Sequence, residues 1–349
     1  MSSVRSVNVR LSANVQGYIA AMNSAGAATA AAMGKADRSV AGHSKGLALL
    51  GKSAAVGGLA VAGGLMYAVK TAADFDQAMS KVQAATGRGG AGLKALREAA
   101  IQAGADTAFS ASEAAGGIEN LAKAGVSSKN ILGGGLRGAL DLAAAGELGV
   151  ADAAEIAATA MTQFKLRGSE VPHVADLLAA GAGKAQGEVS DLAAALNQAG
   201  LVAAGSGLSI EETTGTLAAF ASAGLTGSDA GTSFKTMLQR LQAPIGAGAK
   251  EMARLNVSAY DAQGNFIGMS KVADQLRDRL RGMTSEQRDA ALATIFGSDA
   301  VRAARVLYDQ GGKGIDKWTK AVDDQGFAAR TAGTKLNNLK GDLEQLGGS

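Results

Sequence analysis

After residue 70, apolar positions recur at the three- and four-residue spacing of one helix face. Leu136, Ala139 and Leu142 are an example, and Leu238 and Leu241 another. Gly-containing breaks divide this pattern into segments of helical length. The expected helices cover 72–86, 90–104, 110–124, 130–145, 150–166, 171–185, 189–199, 209–223, 229–242 and 247–255. Short connections between them suit a bundle or a helical array. Two stretches depart from the helical period. Val7-Asn-Val-Arg-Leu11 alternates apolar and polar residues like a half-buried strand, and Val257 to Met269 places Asp261-Ala-Gln-Gly264 between two β-prone runs, the pattern of a hairpin. Helices resume with Ser270 as the expected cap and Thr284-Ser-Glu-Gln287 as a capping box, and continue to Leu346. The fold class is therefore all-α, mainly helical hairpins or a bundle, with a short N-terminal strand and one small β-hairpin near 257–269.

One piece of punctuation occurs twice. Ser110 and Glu113 have the S-x-x-E spacing in which the hydroxyl accepts from the third helical amide while Glu reaches back to the cap amide. Gly125 follows, suited to the left-handed residue that closes a helix. Ser209, Glu212 and Gly224 repeat the arrangement 99 residues later, and a second apolar-faced helix follows each copy. Two helical hairpins related by duplication are expected; the alternative is that capped helices look alike in any Ala-rich chain.

Composition narrows this picture. The hydrophobic share is 47% but aromatics are only 4%, so helices can pack closely with little gained per contact. Only Pro172 and Pro244 interrupt the chain, whereas 49 glycines must end helices or let backbones approach. There is no Cys, which excludes disulfides and thiolate chemistry. The net charge of +3 hides an asymmetry: residues 1–70 hold seven Lys/Arg against the single acid Asp37. Within this basic head, residues 53–69 carry no charge, and Gly57, Gly58, Val61, Gly63 and Gly64 suit either close helix packing or entry into a bilayer. Three regions follow: a basic Ala/Gly-rich segment over 1–70, a helical domain with repeated hairpins over 71–256, and a hairpin with C-terminal helices over 257–349.

Candidate chemistry is sparse. Gly87-Arg-Gly-Gly-Ala-Gly92 satisfies G-x-G-x-x-G, but a helical segment precedes it where a dinucleotide fold needs a strand. His43 and His173 lack the spacing and the neighbouring carboxylates of a metal site, so exposed or helix-cap roles are expected. Glu211 and Glu212 could form a carboxylate pair, yet a helix N-terminus explains both. Arg277-Asp-Arg-Leu-Arg281 mixes signs at helical spacing, a solvated or pairing face. No catalytic, cofactor-binding or metal residue is expected.

Taken in order, several segments resemble the N-terminal region of phage tail tape measure proteins. They are Phe75-Asp-Gln-Ala-Met79 with Val82, Thr107 to Ala115 with Leu121 to Gly125, Ala139 to Gly146, Leu208-Ser-Ile-Glu-Glu-Thr213, Ala223 to Thr232 with Leu238 to Leu241, the Asp261 turn, and Phe296-Gly297. The resemblance implies a non-enzymatic scaffold without cofactors that sets tail length, occupies the tail lumen of the virion and assists DNA ejection. It implies several copies of the chain together, with the major tail tube protein, tail assembly chaperones and tail tip proteins as partners, along with phage DNA and the host membrane, and a cytoplasmic stage during assembly. Family members usually continue further, so a fragment or a short member is expected. The competing reading is a membrane-active pore former or effector using residues 53–69.

Overall fold

The computed structural model describes residues 69–336. The strand expected at Val7–Leu11 and the segment with Gly57, Gly58, Val61, Gly63 and Gly64 lie outside the described residues. Chain contacts separate two units, Met1–Thr71 and Ala72–Ser349. The described residues are all-α. Helix α1 covers 69–86, followed by α2 (Gly90–Asp106), α3 (Ala111–Lys123), α4 (Leu136–Gly146), α5 (Val150–Phe164), α6 (Val171–Lys184) and α7 (Val189–Gly205). Next come α8 (Ile210–Ser222), α9 (Gly227–Gln242), α10 (Gly246–Leu255), α11 (Met269–Leu280), α12 (Ser285–Phe296), α13 (Val301–Val322) and α14 (Phe327–Leu336).

Local chemistry sets most of these limits. α3 starts with a complete capping box and ends where Val126 N–H donates to Leu121 C=O and Gly125 takes φ +85°, which satisfies carbonyls that the helix leaves free. The end of α8 repeats this with Leu225 donating to Phe220 and Gly224 at φ +81°. Pro172 sits in the first turn of α6, where no intrahelical amide bond is lost. Thr284 and Gln287 form the capping box of α12.

The offset of 99 residues reaches beyond the hairpin. It carries the limits of α2 onto α7 and those of α3 onto α8 without a shift. It also carries α1 onto a short turn, Gly168–Glu170, plus α6, and the stretch beginning at Ser128 onto α9, which begins at Gly227. Some left-handed residues keep the same offset: Gly87 with Gln186, and Glu147 with Gly246. The repeated unit thus has four helical segments.

The two copies are covered differently. Gly116 of α3 faces α5, with Ala151 Cβ 3.8 Å from where its own Cβ would stand. At the equivalent Gly215 of α8 the covering helix is α13, and a Cβ would stand 2.6 Å from the Thr319 backbone. α9 lies along α7 with similar intimacy, because Gly231 leaves no room for a Cβ beside Ala195 C=O. One continuous core runs from Met79 to Ala328 and is mostly Ala, Leu and Val, with Phe220 and Phe234 meeting edge to face at 5.6 Å.

Four expectations need correction. α7 continues to Gly205 instead of ending before Gly200, because Gly200 makes room for Gln163 and Phe164 of α5. The helix expected over 130–145 is interrupted by a π-turn at Ile131–Gly135, in which Gly134 has φ +131°. No pair of strands forms at 257–269. Asp261 Oδ1 accepts from the amides of Gln263 and Asn265, backbone bonds from Asp261 N–H to Asn265 C=O and from Ile267 N–H to Ala259 C=O help close the turn, and the pairing stops at a single bridge, Tyr260 with Phe266. Finally, Ser270 is not the cap of α11; that helix begins at Met269 after Gly268.

Candidate functional site

The polar side chains that converge do so where α6 and α8 meet α11, α13 and α14. Ser209 caps α8 by accepting from Glu212 N–H at 3.1 Å, as Ser110 does for Glu113 at 3.3 Å. The reciprocal half differs. Glu113 Oε2 accepts from the Ser110 amide at 2.8 Å, whereas Glu212 Oε1 turns away and accepts from Met269 N–H at 2.6 Å. Glu212 therefore supplies the cap that α11 lacks in its own sequence, and its carboxylate stands at the positive end of that helix.

α11 in turn ties down a break in α13. Gly311 has φ +62°, a conformation open to glycine, and interrupts the helical hydrogen bonding. Three residues on one face of α11 pair the polar groups around that break: Ser270 Oγ donates to Gly312 C=O at 3.2 Å, Asp274 Oδ1 accepts from Gly312 N–H at 2.6 Å, and Arg277 donates to Gln310 C=O at 3.2 Å. Asp274 also fills the space where a Gly312 Cβ would be.

The start of α14 is held from α6. Asp176 is buried, and its two oxygens accept from Gly326 N–H at 2.7 Å and Ala328 N–H at 3.0 Å. A buried carboxylate is costly without such donors. Lys184, at the other end of α6, donates to Ala321 C=O and to Asp324 and lies over the Phe327 ring. Lys184 and Arg330 together hold the Asp324 carboxyl below its ordinary range.

His173 completes the group. Its Nε2 lies 2.8 Å from Glu211 Oε1 and its Nδ1 4.0 Å from Asp323 Oδ1. The hydrogen bond to Glu211 raises the imidazole above its ordinary 6.5, against a smaller opposing effect of burial. The same bond is the main reason that the Glu211 carboxyl falls to about 2. Glu211 does stand in the first turn of α8, as its sequence position implies, but carboxylates near His173 come from residues distant in sequence.

Each of these carboxylates is occupied by an amide or a cation, so the arrangement fastens helices. Among the described residues no group of three metal-ligating side chains gathers, and no helix is long and apolar enough to cross a membrane. Gly87 to Gly89 joins α1 to α2 and Gly90 to Gly92 opens α2, so a helix precedes the motif where a dinucleotide site has a strand. Sequence reasoning missed Asp176, Asp274 and the His173 pair. The one available signal was Asp176 within Val174-Ala-Asp-Leu-Leu178, since a lone acid in an apolar run requires a partner from elsewhere.

The fold and this junction define an all-α packing module whose helix limits recur at an offset of 99 residues. Its family follows from comparison with known proteins. The phage-related minor tail protein family matches residues 97–297, and the chain belongs to that family. It is similar to a tape measure protein of Pneumococcus phage Dp-1, 36% identical over 282 residues, covering 80% of this chain and 24% of that protein. It is also similar to a protein described as a probable tape measure protein of Escherichia phage P2, 31% identical over 315 residues, covering 86% of this chain and 38% of that protein. The chain thus spans well under half the length of these relatives. No solved structure matches it.

Proposed function

We propose that the chain acts as a tape measure protein, a structural scaffold that sets tail length during assembly, lies in the tail lumen and assists DNA ejection through the host envelope. The observation that carries this reading is the likeness to the phage Dp-1 tape measure protein across four fifths of the chain. The fold supports it in physical terms. Short capped helices joined by small residues can be drawn out segment by segment, because Ala and Gly contacts release little apolar area each. A helical chain advances about 1.5 Å per residue, so helix number translates into length.

In this reading the partners are further copies of the same chain, the major tail tube protein, tail assembly chaperones and tail tip proteins, with phage DNA and the host membrane met during ejection. The role requires no catalysis. Antibodies raised against residues 72–336 should label tails only after the tubes are opened. Labelling along the outside of intact tails would overturn the lumen assignment.

A further inference from the structure

We propose that His173 is a pH-sensitive latch which, when charged, ties α6 to the start of α8 and to the end of α13, and so sets how firmly α13 and α14 stay on the bundle. The geometry carries this. Each ring nitrogen faces a carboxylate: Nε2 faces Glu211 at 2.8 Å and Nδ1 faces Asp323 at 4.0 Å. A neutral imidazole has one N–H and can serve only one of them, whereas the charged ring has two donors.

His173 does not act alone. Along α6, His173, Asp176 and Lys184 fall at spacings of three and eight residues, hence on one helix face. All three hold the segment from Ala321 to Ala328. Asp176 binds the Gly326 and Ala328 amides, and Lys184 binds Ala321 C=O and Asp324. Of the three, only the imidazole has an ordinary titration near neutrality.

The charged neighbours favour protonation. Glu211 comes from α8, Asp323 from the end of α13 and Asp176 from α6 itself, and all three act to raise the imidazole. Farther along, Asp141 of α4 faces Asp176 while paired with Arg137, and Asp324 is neutralised by Lys184 and Arg330. The ring is thus surrounded by a surplus of acid.

The sign follows from the direction of each shift. His173 is raised above 6.5 in the folded chain, so its contribution is full below 6.5 and disappears as pH rises through the folded value. Glu211 is lowered from 4.5 to about 2, so its contribution is full above 4.5 and disappears as pH falls toward 2. The latch is closed between these limits and opens on the alkaline side.

The chain has two histidines, so ring resonances can be assigned with one substitution, His43→Gln. Proton NMR of the full chain should give His173 a midpoint above 6.5, moving down toward that value in Glu211→Gln. Thermal unfolding should show wild type above His173→Gln by a few degrees at about pH 5.5, with the gap closing by about pH 8.5. Gln keeps a donor for Glu211 but no charge, so a gap independent of pH would indicate packing alone and overturn the proposal. A His173 midpoint at or below 6.5 would do the same, and that measurement stands even if the variant fails to fold.

Discussion

Gly215 and Gly205 are both helical, yet a side chain at one would meet the Thr319 backbone at 2.6 Å while at the other nothing lies within 4 Å. Composition shows that glycine is abundant but not which glycines admit a neighbour, because that depends on a helix from a distant part of the chain. The account therefore predicts opposite outcomes for one chemical change. Gly215→Ala should destabilise by about 1–3 kcal/mol, since backbone cannot yield as a side-chain tip can. Gly205→Ala should stabilise by about 0.5–1 kcal/mol through helix propensity. Urea midpoints of the two variants decide between them. Left-handed residues were more legible than close contacts: Gly125 and Gly224 follow capped helices at a fixed spacing, so their role is local.

Helices are punctuated here both by their own sequence and by distant carboxylates, and only the first kind could be read in advance. Ser110 with Glu113 and Thr284 with Gln287 satisfy their helix ends within four residues, so the spacing alone reveals them. The cap of α11 comes from Glu212, 57 residues away, and a local reading turns to Ser270 instead. The same limitation applies to 257–269. A turn between two β-prone runs suggested strands there, but Val257 and Ala259 are buried in the helical core and the loop has a single bridge. Ser110→Ala should cost about 1 kcal/mol, the usual loss of a helix cap. Asp176→Ala should cost more, about 2–4 kcal/mol, because it leaves one buried and one half-buried amide without an acceptor. In that variant, hydrogen exchange should quicken at Gly326 and Ala328 before it does in α7. Uniform exchange across both helices would contradict a local clamp.

At the scale of the described molecule, helix limits recur at a 99-residue offset over two sets of four helical segments, and later helices pack on the second set. α13 covers α8 on the face where α5 covers α3, but more closely, so removing everything after residue 256 would uncover the Gly215 face and leave Glu212, Asp176 and His173 with fewer partners. That truncation should abolish a sharp unfolding transition; retention of wild-type cooperativity would show that the first part folds without the second. The family was legible from the order of its segments, whereas the junction was not, because residues more than a hundred positions apart meet there. The central claim, that the chain measures length, is tested most directly by in-frame deletions of increasing size within it, made in the phage gene that encodes it, with tail lengths read by electron microscopy. The account predicts shortening in proportion to the residues removed, up to about 1.5 Å per residue if the chain is drawn out as helix. Normally assembled tails of unchanged length would contradict it.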